Sequence, residues 1–577
     1  MKKYLFIFIL FFPNISFSID VPTFDDFNKE MSIIDSQLDE NSNKKNKIPL
    51  LDDGKKTLNT SSEIISEGQE EVKVVIKKFI IEGNYSVAES EIQDLIKDFL
   101  NKELTLLELD VAAENITNFY IDKGLWARAV LPDQEITNNE LKIKIIEAKL
   151  GKVIFQKNPD TNLGISEKLA EKYLKKNQDE EKIFNINNLN KNIQLLDSLP
   201  GINSTASLQS GEVDGETDVI VEINETKLVS GNIKTDNHGS RSSGYARVST
   251  ALNFNGLLNV GESWSLQNVH TTGSDYYALG LTIPIGVSGL SATFRGSEMD
   301  YNLGIPLKSS DPEGNSNSLS MSLNFPSFNL GKLTTSINFG ISNNTYLNKT
   351  NAGISSEKSN FKGNLDLNFN LIDQIFGGGA NNFTISMTKG EIDLGDTPSN
   401  LASDQSSANT NGEFEKFTIN FSRLQSLSSN HALFFSTNGQ YGGTNLDPGE
   451  QLSLGGVSGI RGYPNSEASG SHGLISSLEH RFSYNNRIQT KLFYDFGRVF
   501  QYKNTYTDWN SSNPSLNNSY NLSGAGFGVD AFLGNLGNLS LIYARKLSAN
   551  PAEDTSGKDN DGTGYDERFW LSLSRNF

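Results

Sequence analysis

From about residue 226 to the end, apolar and polar positions alternate with a period of two. Leu319, Met321, Leu323 and Phe325 are separated by Ser320, Ser322 and Asn324. Leu365, Leu367, Phe369 and Leu371 alternate with Asp366, Asn368 and Asn370, and Phe383, Ile385, Met387 and Phe417, Ile419, Phe421 repeat the pattern. Such alternation predicts strands with one apolar and one polar face. The polar partners are Ser, Thr and Asn, which suit a wet lumen, with the apolar partners facing lipid. A soluble sandwich would alternate in the same way. The last segment favours the barrel: Phe569, Leu571, Leu573 and Phe577 share one face of a strand with an aromatic end, read as an assembly signal. Arg575 interrupts that face but can snorkel to the interface. At roughly 22 residues per strand and turn, residues 226–577 give about 16 antiparallel transmembrane strands.

Upstream the period changes to that of helices. In residues 72–148 a strand at Val72–Ile81 precedes a helical face of Ile92, Leu95, Ile96, Phe99 and Leu100. Ser86 with Glu89, and Thr105 with Glu108, have the spacing of capping boxes. The second box opens a helix with Leu109, Ala112, Ala113, Ile116 and Tyr120 inward, ended by Gly124. Strands at Trp126–Leu131 and Leu141–Ile146 follow, completing a β-α-α-β-β order. Residues 149–225 repeat it, with helical faces carrying Ile165, Leu169, Tyr173, Leu174 and then Ile186, Leu189, Ile193, Leu196. Tandem copies of one small α+β unit without catalytic side chains predict partner binding.

The N-terminus sets the compartment. Lys2 and Lys3 precede an apolar run from Tyr4 to Phe12, and Ser16-Phe17-Ser18 is a small-x-small cleavage site, so 1–18 is predicted to be a signal peptide. The run is too short for a spanning helix, which needs about 20 apolar residues. In 19–40, Phe24, Phe27, Met31, Ile34 and Leu38 form one face of an amphipathic helix. Residues 41–71 are polar and predict a linker.

Composition narrows the chemistry. The chain has no Cys, which removes disulfides, thiolate metal sites and thiol catalysis, and only 5 His. The net charge of −19 argues against nucleic acid, whose phosphates require a basic surface. No Ser nucleophile elbow or His-Asp constellation supports an enzyme. Gly377-Gly378-Gly379 lacks the Lys and helix of a phosphate loop and predicts a turn. Asp554, Asp559 and Asp561 miss the spacing of a calcium loop. His238, His270, His431, His472 and His480 show no metal-ligand spacing. Neither a metal nor a cofactor is expected.

Two motifs in this frame resemble the outer-membrane transporters of two-partner secretion, exporters of haemolysins and filamentous haemagglutinins within the POTRA-plus-barrel superfamily. Glu450-Gln451-Leu452-Ser453-Leu454-Gly455-Gly456 leads into Ile460-Arg461-Gly462-Tyr463, similar to the family's sixth extracellular loop and its Arg-Gly-aromatic tip. The family tip usually begins with Val, and Ile460 is a conservative departure. Phe493-Tyr494-Asp495-Phe496-Gly497 is similar to the F-x-D-x-G strand motif, whose carboxylate meets that arginine. Lys78-Phe79-Ile80-Ile81-Glu82-Gly83-Asn84 resembles the start of a POTRA domain, and Asp236-Asn237-His238-Gly239-Ser240 the entry to the barrel. The resemblance implies two periplasmic POTRA domains, an outer-membrane barrel and a helix at 19–40 that plugs it. It also implies export, without nucleotide hydrolysis, of an unfolded, large β-helical adhesin, haemolysin or toxin. Outer-membrane lipids and the barrel assembly machinery would be further partners. A barrel-assembly or insertase factor of the same superfamily is the alternative, and a barrel-anchored outer-membrane enzyme is the rival from another class. A lone loop arginine is ordinarily solvated; the physical case for an Arg461–Asp495 contact is that a carboxylate between Phe493 and Phe496 needs a partner, and Arg can bind it bidentately.

Overall fold

The computed structural model describes residues 73–577, except 157–163, 179–181, 214, 225–227, 306 and 512. The predicted signal peptide, the helix with Phe24, Phe27, Met31, Ile34 and Leu38, and the linker all lie outside the described residues.

The first α+β unit comprises strand Lys78–Glu82, helices Glu89–Ile96 and Leu106–Asp122, and strands Ala127–Val130 and Glu140–Glu147. Its final strand sits in the middle of the sheet, parallel to Lys78–Glu82 and antiparallel to Ala127–Val130. Leu141, Ile143 and Ile145 alternate along that strand and bury one face against Ile92, Ile96, Leu109, Ile116 and Tyr120 of the two helices. The second unit uses strands Lys149–Gln156, Asn203–Ser210 and Glu216–Asn224 with helices Glu167–Leu174 and Ile186–Asp197. Again the last strand is central, parallel to the first and antiparallel to the second. The repeat read in the sequence is therefore also a repeat of topology.

Local signals held unevenly. At Thr105 the capping box forms, with Thr105 N–H donating to Glu108 at 2.8 Å and Glu108 N–H to the Thr105 hydroxyl at 3.3 Å. These bonds from Thr105 hold the exposed Glu108 carboxyl below its ordinary range. The box expected at Ser86 and Glu89 does not form: Ala88 caps that helix without a side-chain bond. The Ser86 hydroxyl instead donates to Glu147 at 2.6 Å, a carboxylate that also accepts from the buried Tyr120 hydroxyl at 2.9 Å. A tertiary acceptor has outcompeted the local one. The strand expected at Val72–Ile81 is also split. Val74–Val75 pairs with Glu103–Leu104, and Lys78–Glu82 joins the main sheet.

Hydrogen bonds join the second unit to the barrel, among them Gly261 N–H to the Gly164 carbonyl at 3.1 Å. Ser166 N–H donates to the Asn259 carbonyl at 2.9 Å, and the Tyr173 hydroxyl to the Gly286 carbonyl at 3.1 Å. Beyond them, 17 antiparallel segments among the described residues form one closed wall. Glu313–Asn324 and Phe328–Leu330 occupy one position, interrupted near Pro326 and both paired to Leu333–Thr350, so the wall has 16 staves. Glu567–Asn576 closes it against Val229–Asp236. The period-two pattern sorts by face. Phe369, Phe383, Phe421 and Phe435 form a chain of ring contacts across four staves on the outer face, with centroids 5.9 to 6.5 Å apart. The intervening Asn368, Thr384 and Asn420 face inward. Closure removes every sheet edge, which a hydrocarbon environment requires of strands.

Candidate functional site

Between strands His431–Gly442 and His472–Asn485 the chain makes a long excursion that folds back onto the inner wall. Alternation places Ser477, Glu479 and Arg481 on the inner face of His472–Asn485, and Lys491, Phe493, Asp495 and Gly497 on that of Ile488–Phe500. Register sets Ser477 beside Asp495 and Glu479 beside Phe493. Arg461 enters this corner. Its Nε and Nη2 donate to the two oxygens of Asp495 at 2.8 and 2.6 Å, a bidentate fork. The remaining Nη1 donates to Glu479 at 2.6 Å, and Nη2 also reaches the Ser477 hydroxyl at 2.8 Å. The guanidinium carbon lies 3.4 Å from the Phe493 ring centroid. Arg461 and Asp495 are both buried.

Backbone fit makes this approach possible. A Cβ on Gly462 would lie 2.9 Å from the backbone of Arg545 and Lys546, and one on Gly497 would lie 2.8 Å from Ile460 Cδ1. Ile460 and Tyr463 flank the arginine in an apolar cluster with Leu454, Val499 and Leu522. The Tyr463 hydroxyl donates to the Ser548 carbonyl at 2.6 Å, and Trp570 Nε1 donates to the Arg461 carbonyl at 2.9 Å. The tip is thus held by its guanidinium, its backbone and its aromatic ring at once.

Several members of this network were not singled out from the sequence. Glu479 takes the third arm of Arg461 and is itself bound by Arg481 at 2.7 and 2.9 Å. Its signal was present as a charge pair at inward positions of an alternating strand, flanked by the lipid-facing Leu478. Trp570 gave none, because its partner is a backbone carbonyl. A second anchor holds the start of the loop. Lys358 donates to Asp447 at 2.6 and 2.8 Å, while Glu450 meets Asn360 at 2.7 Å, Lys362 at 2.5 Å and Lys416 at 2.6 Å. The loop is therefore tied to strand Gly353–Asp373 at its start and to Ile488–Phe500 at its tip.

Elsewhere, Phe569, Leu571 and Phe577 are exposed on the outer face and Leu573 is half-buried there. Phe577 and Gly231 exchange backbone hydrogen bonds at 3.0 and 3.1 Å across the closing seam. Asp559 is an ion-pair hub for Lys546 at 2.8 Å and Arg568 at 3.4 Å. Gly377 and Gly378 lie in a tight turn with φ of 97° and 99°.

The family model for the haemolysin secretion/activation proteins ShlB/FhaC/HecB matches residues 215–531, and that for the ShlB-type POTRA domain matches 74–148. The heme/hemopexin transporter protein HuxB of Haemophilus influenzae is 25% identical over 515 residues, 86% of this chain and 85% of that protein. Among solved structures, CdiB from Escherichia coli is 17% identical, with a TM-score of 0.63 over 90% of this chain and 93% of that one. BamA from Haemophilus ducreyi lacking POTRA domains 1–3 is 15% identical, with a TM-score of 0.55 over 88% of this chain and 100% of that one. These two structural likenesses establish the fold alone.

Proposed function

The chain belongs to the haemolysin secretion/activation family ShlB/FhaC/HecB and is an outer-membrane transporter of two-partner secretion, with its POTRA region in the periplasm; from this premise we propose that it exports one large β-helical adhesin, haemolysin or toxin. The partner arrives unfolded. It adds a strand to an exposed edge of a POTRA sheet, a recognition carried by backbone hydrogen bonds and therefore tolerant of sequence. In the first unit such edges are Lys78–Glu82 and Ala127–Val130, since Glu140–Glu147 is central. It then passes through the barrel and folds outside, which gives the movement its direction. The relative HuxB is by its name a heme/hemopexin transporter, so a heme-binding protein is one candidate for the partner of this chain.

The observation that carries the mechanism is the doubly anchored loop. Arg461, Asp495 and Glu479 act as a latch that fixes the loop against the wall, which is positional work without bond chemistry. The test in cells is to find whether a large secreted protein is encoded beside this chain and to follow its location. It should remain in the periplasm when this chain is deleted and return to the surface on complementation. Its appearance at the surface of the deletion strain would overturn the assignment.

A further inference from the structure

We propose that the exported polypeptide moves along one side of the lumen only, an uncharged amide and hydroxyl wall beside the ion-paired wall. This rests on the exporter reading above. Strand register lines up Ser336, Asn368, Thr384, Asn420 and Asn438 as one inward-facing rung across five staves. The rung on its periplasmic side repeats the chemistry from Thr334 to Ser436, and the rung on the other side adds a single carboxylate, Asp366. Neighbours along the rung bond one another, as where the Thr384 hydroxyl donates to Asn368 at 2.9 Å. The cations higher on this wall are Lys358, Lys362 and Lys416, and all three are ion-paired to the loop, Lys358 with Asp447 and the other two sharing Glu450.

The neighbouring wall, which begins where Ser477 sits beside Ser436, is built differently. Glu479, Arg481, Lys491 and Asp530 are inward-facing and joined in pairs, Arg481–Glu479 at 2.7 Å and Lys491–Asp530 at 3.0 Å. That wall also carries the loop tip. Most charge in the lumen is thus paired internally; the exceptions are Asp366, which accepts from Asn364 at 2.8 Å, and Arg295, whose partners are the neutral Gln267 and Tyr276.

Passage demands contacts favourable enough to admit a chain and weak enough to release it. Neutral hydrogen bonds exchanged with water meet that demand, since each contributes only about 0.5–1.5 kcal/mol net. A fixed unpaired charge in a partly desolvated lumen would hold opposite charges and repel like ones. An amide and hydroxyl wall offers donors and acceptors to any passing backbone, so it handles an extended polypeptide whatever its side-chain charge. These rungs set the tolerance of the channel for cargo sequence.

The test uses the full-length protein in planar bilayers. The probes are a long unstructured polypeptide of Gly, Ser and Asn and a version carrying a block of lysines, both added on the POTRA side. A variant combining Asn368→Asp, Thr384→Asp and Asn420→Asp should lengthen occlusions by the lysine probe at least about tenfold, leaving the neutral probe unchanged. Ser540→Asp with Ser572→Asp adds carboxylates across the lumen, on staves Asn538–Lys546 and Glu567–Asn576, and should change neither probe. Thr384→Lys alone, with a glutamate-block probe, gives the mirror test should the triple variant fail to fold. Equal or larger effects from the Ser540 and Ser572 pair, or none from the rung variants, would overturn the track. A wild-type channel that neither probe occludes would overturn the exporter reading with it.

Discussion

Arg461→Ala is expected to reduce export of the partner at least about tenfold while leaving most of the barrel folded. Its guanidinium serves Asp495 and Glu479 together, so truncation strands the buried Asp495 and leaves Glu479 with Arg481 alone. Breaking a buried pair by removing one partner costs of order 3–5 kcal/mol, and the cost falls on the loop's attachment. The strand ladder that closes the barrel does not depend on it. Asp495→Ala should behave similarly, with part of the hold retained through Glu479. Arg461→Lys should rescue poorly, because an ammonium cannot fork onto Asp495 while reaching Glu479. The double variant should be about as defective as one single variant, since both changes remove one unit. Exported partner and folded barrel are measured side by side. Defects that simply add would show that the pair does not work as a latch.

The closing seam should be the other point of large effect. It spans Asn232–Asp236 and Ser572–Asn576, extended by backbone bonds between Gly231 and Phe577 at one end and from Asn237 to Leu571 at the other. Removing Ser574–Phe577 leaves the lower half of Val229–Asp236 without partners on its seam edge, the other edge remaining paired to Arg247–Asn255. Unsatisfied backbone groups in hydrocarbon cost several kcal/mol each, so the truncated chain should fail to close. The expected readout is loss of the species that migrates faster when unheated in detergent gels. Phe577→Ala, which keeps the backbone bonds, should retain more of that species. A truncated chain recovered as folded barrel in wild-type amounts would show that the seam does not govern closure.

How much of this was legible depended on the range of the interaction. The strands of the barrel follow from alternation alone, because each residue's face is fixed by its immediate neighbours. The Thr105 helix start was equally local. Ser86 misled because its acceptor, Glu147, lies 61 residues away. Arg461 and Asp495 were readable as a pair only through two motifs taken together. The rest of the site was hidden by register. Glu450 and Asn360 are 90 residues apart, and nothing local says that the loop's start reaches across to that stave. Glu479 carried a weak signal, a charge at an inward position that the alternation identifies but cannot assign to a partner.

The most direct measurement is reconstitution of the purified protein in liposomes with its POTRA region outward. The secreted partner is diluted from denaturant into the outer medium without any nucleotide. The account predicts that it becomes protected from added protease, and that Arg461→Ala liposomes with equal folded barrel protect far less. Wild-type liposomes that give no protection, or give it only when nucleotide is supplied, would contradict a barrel that exports its partner by itself.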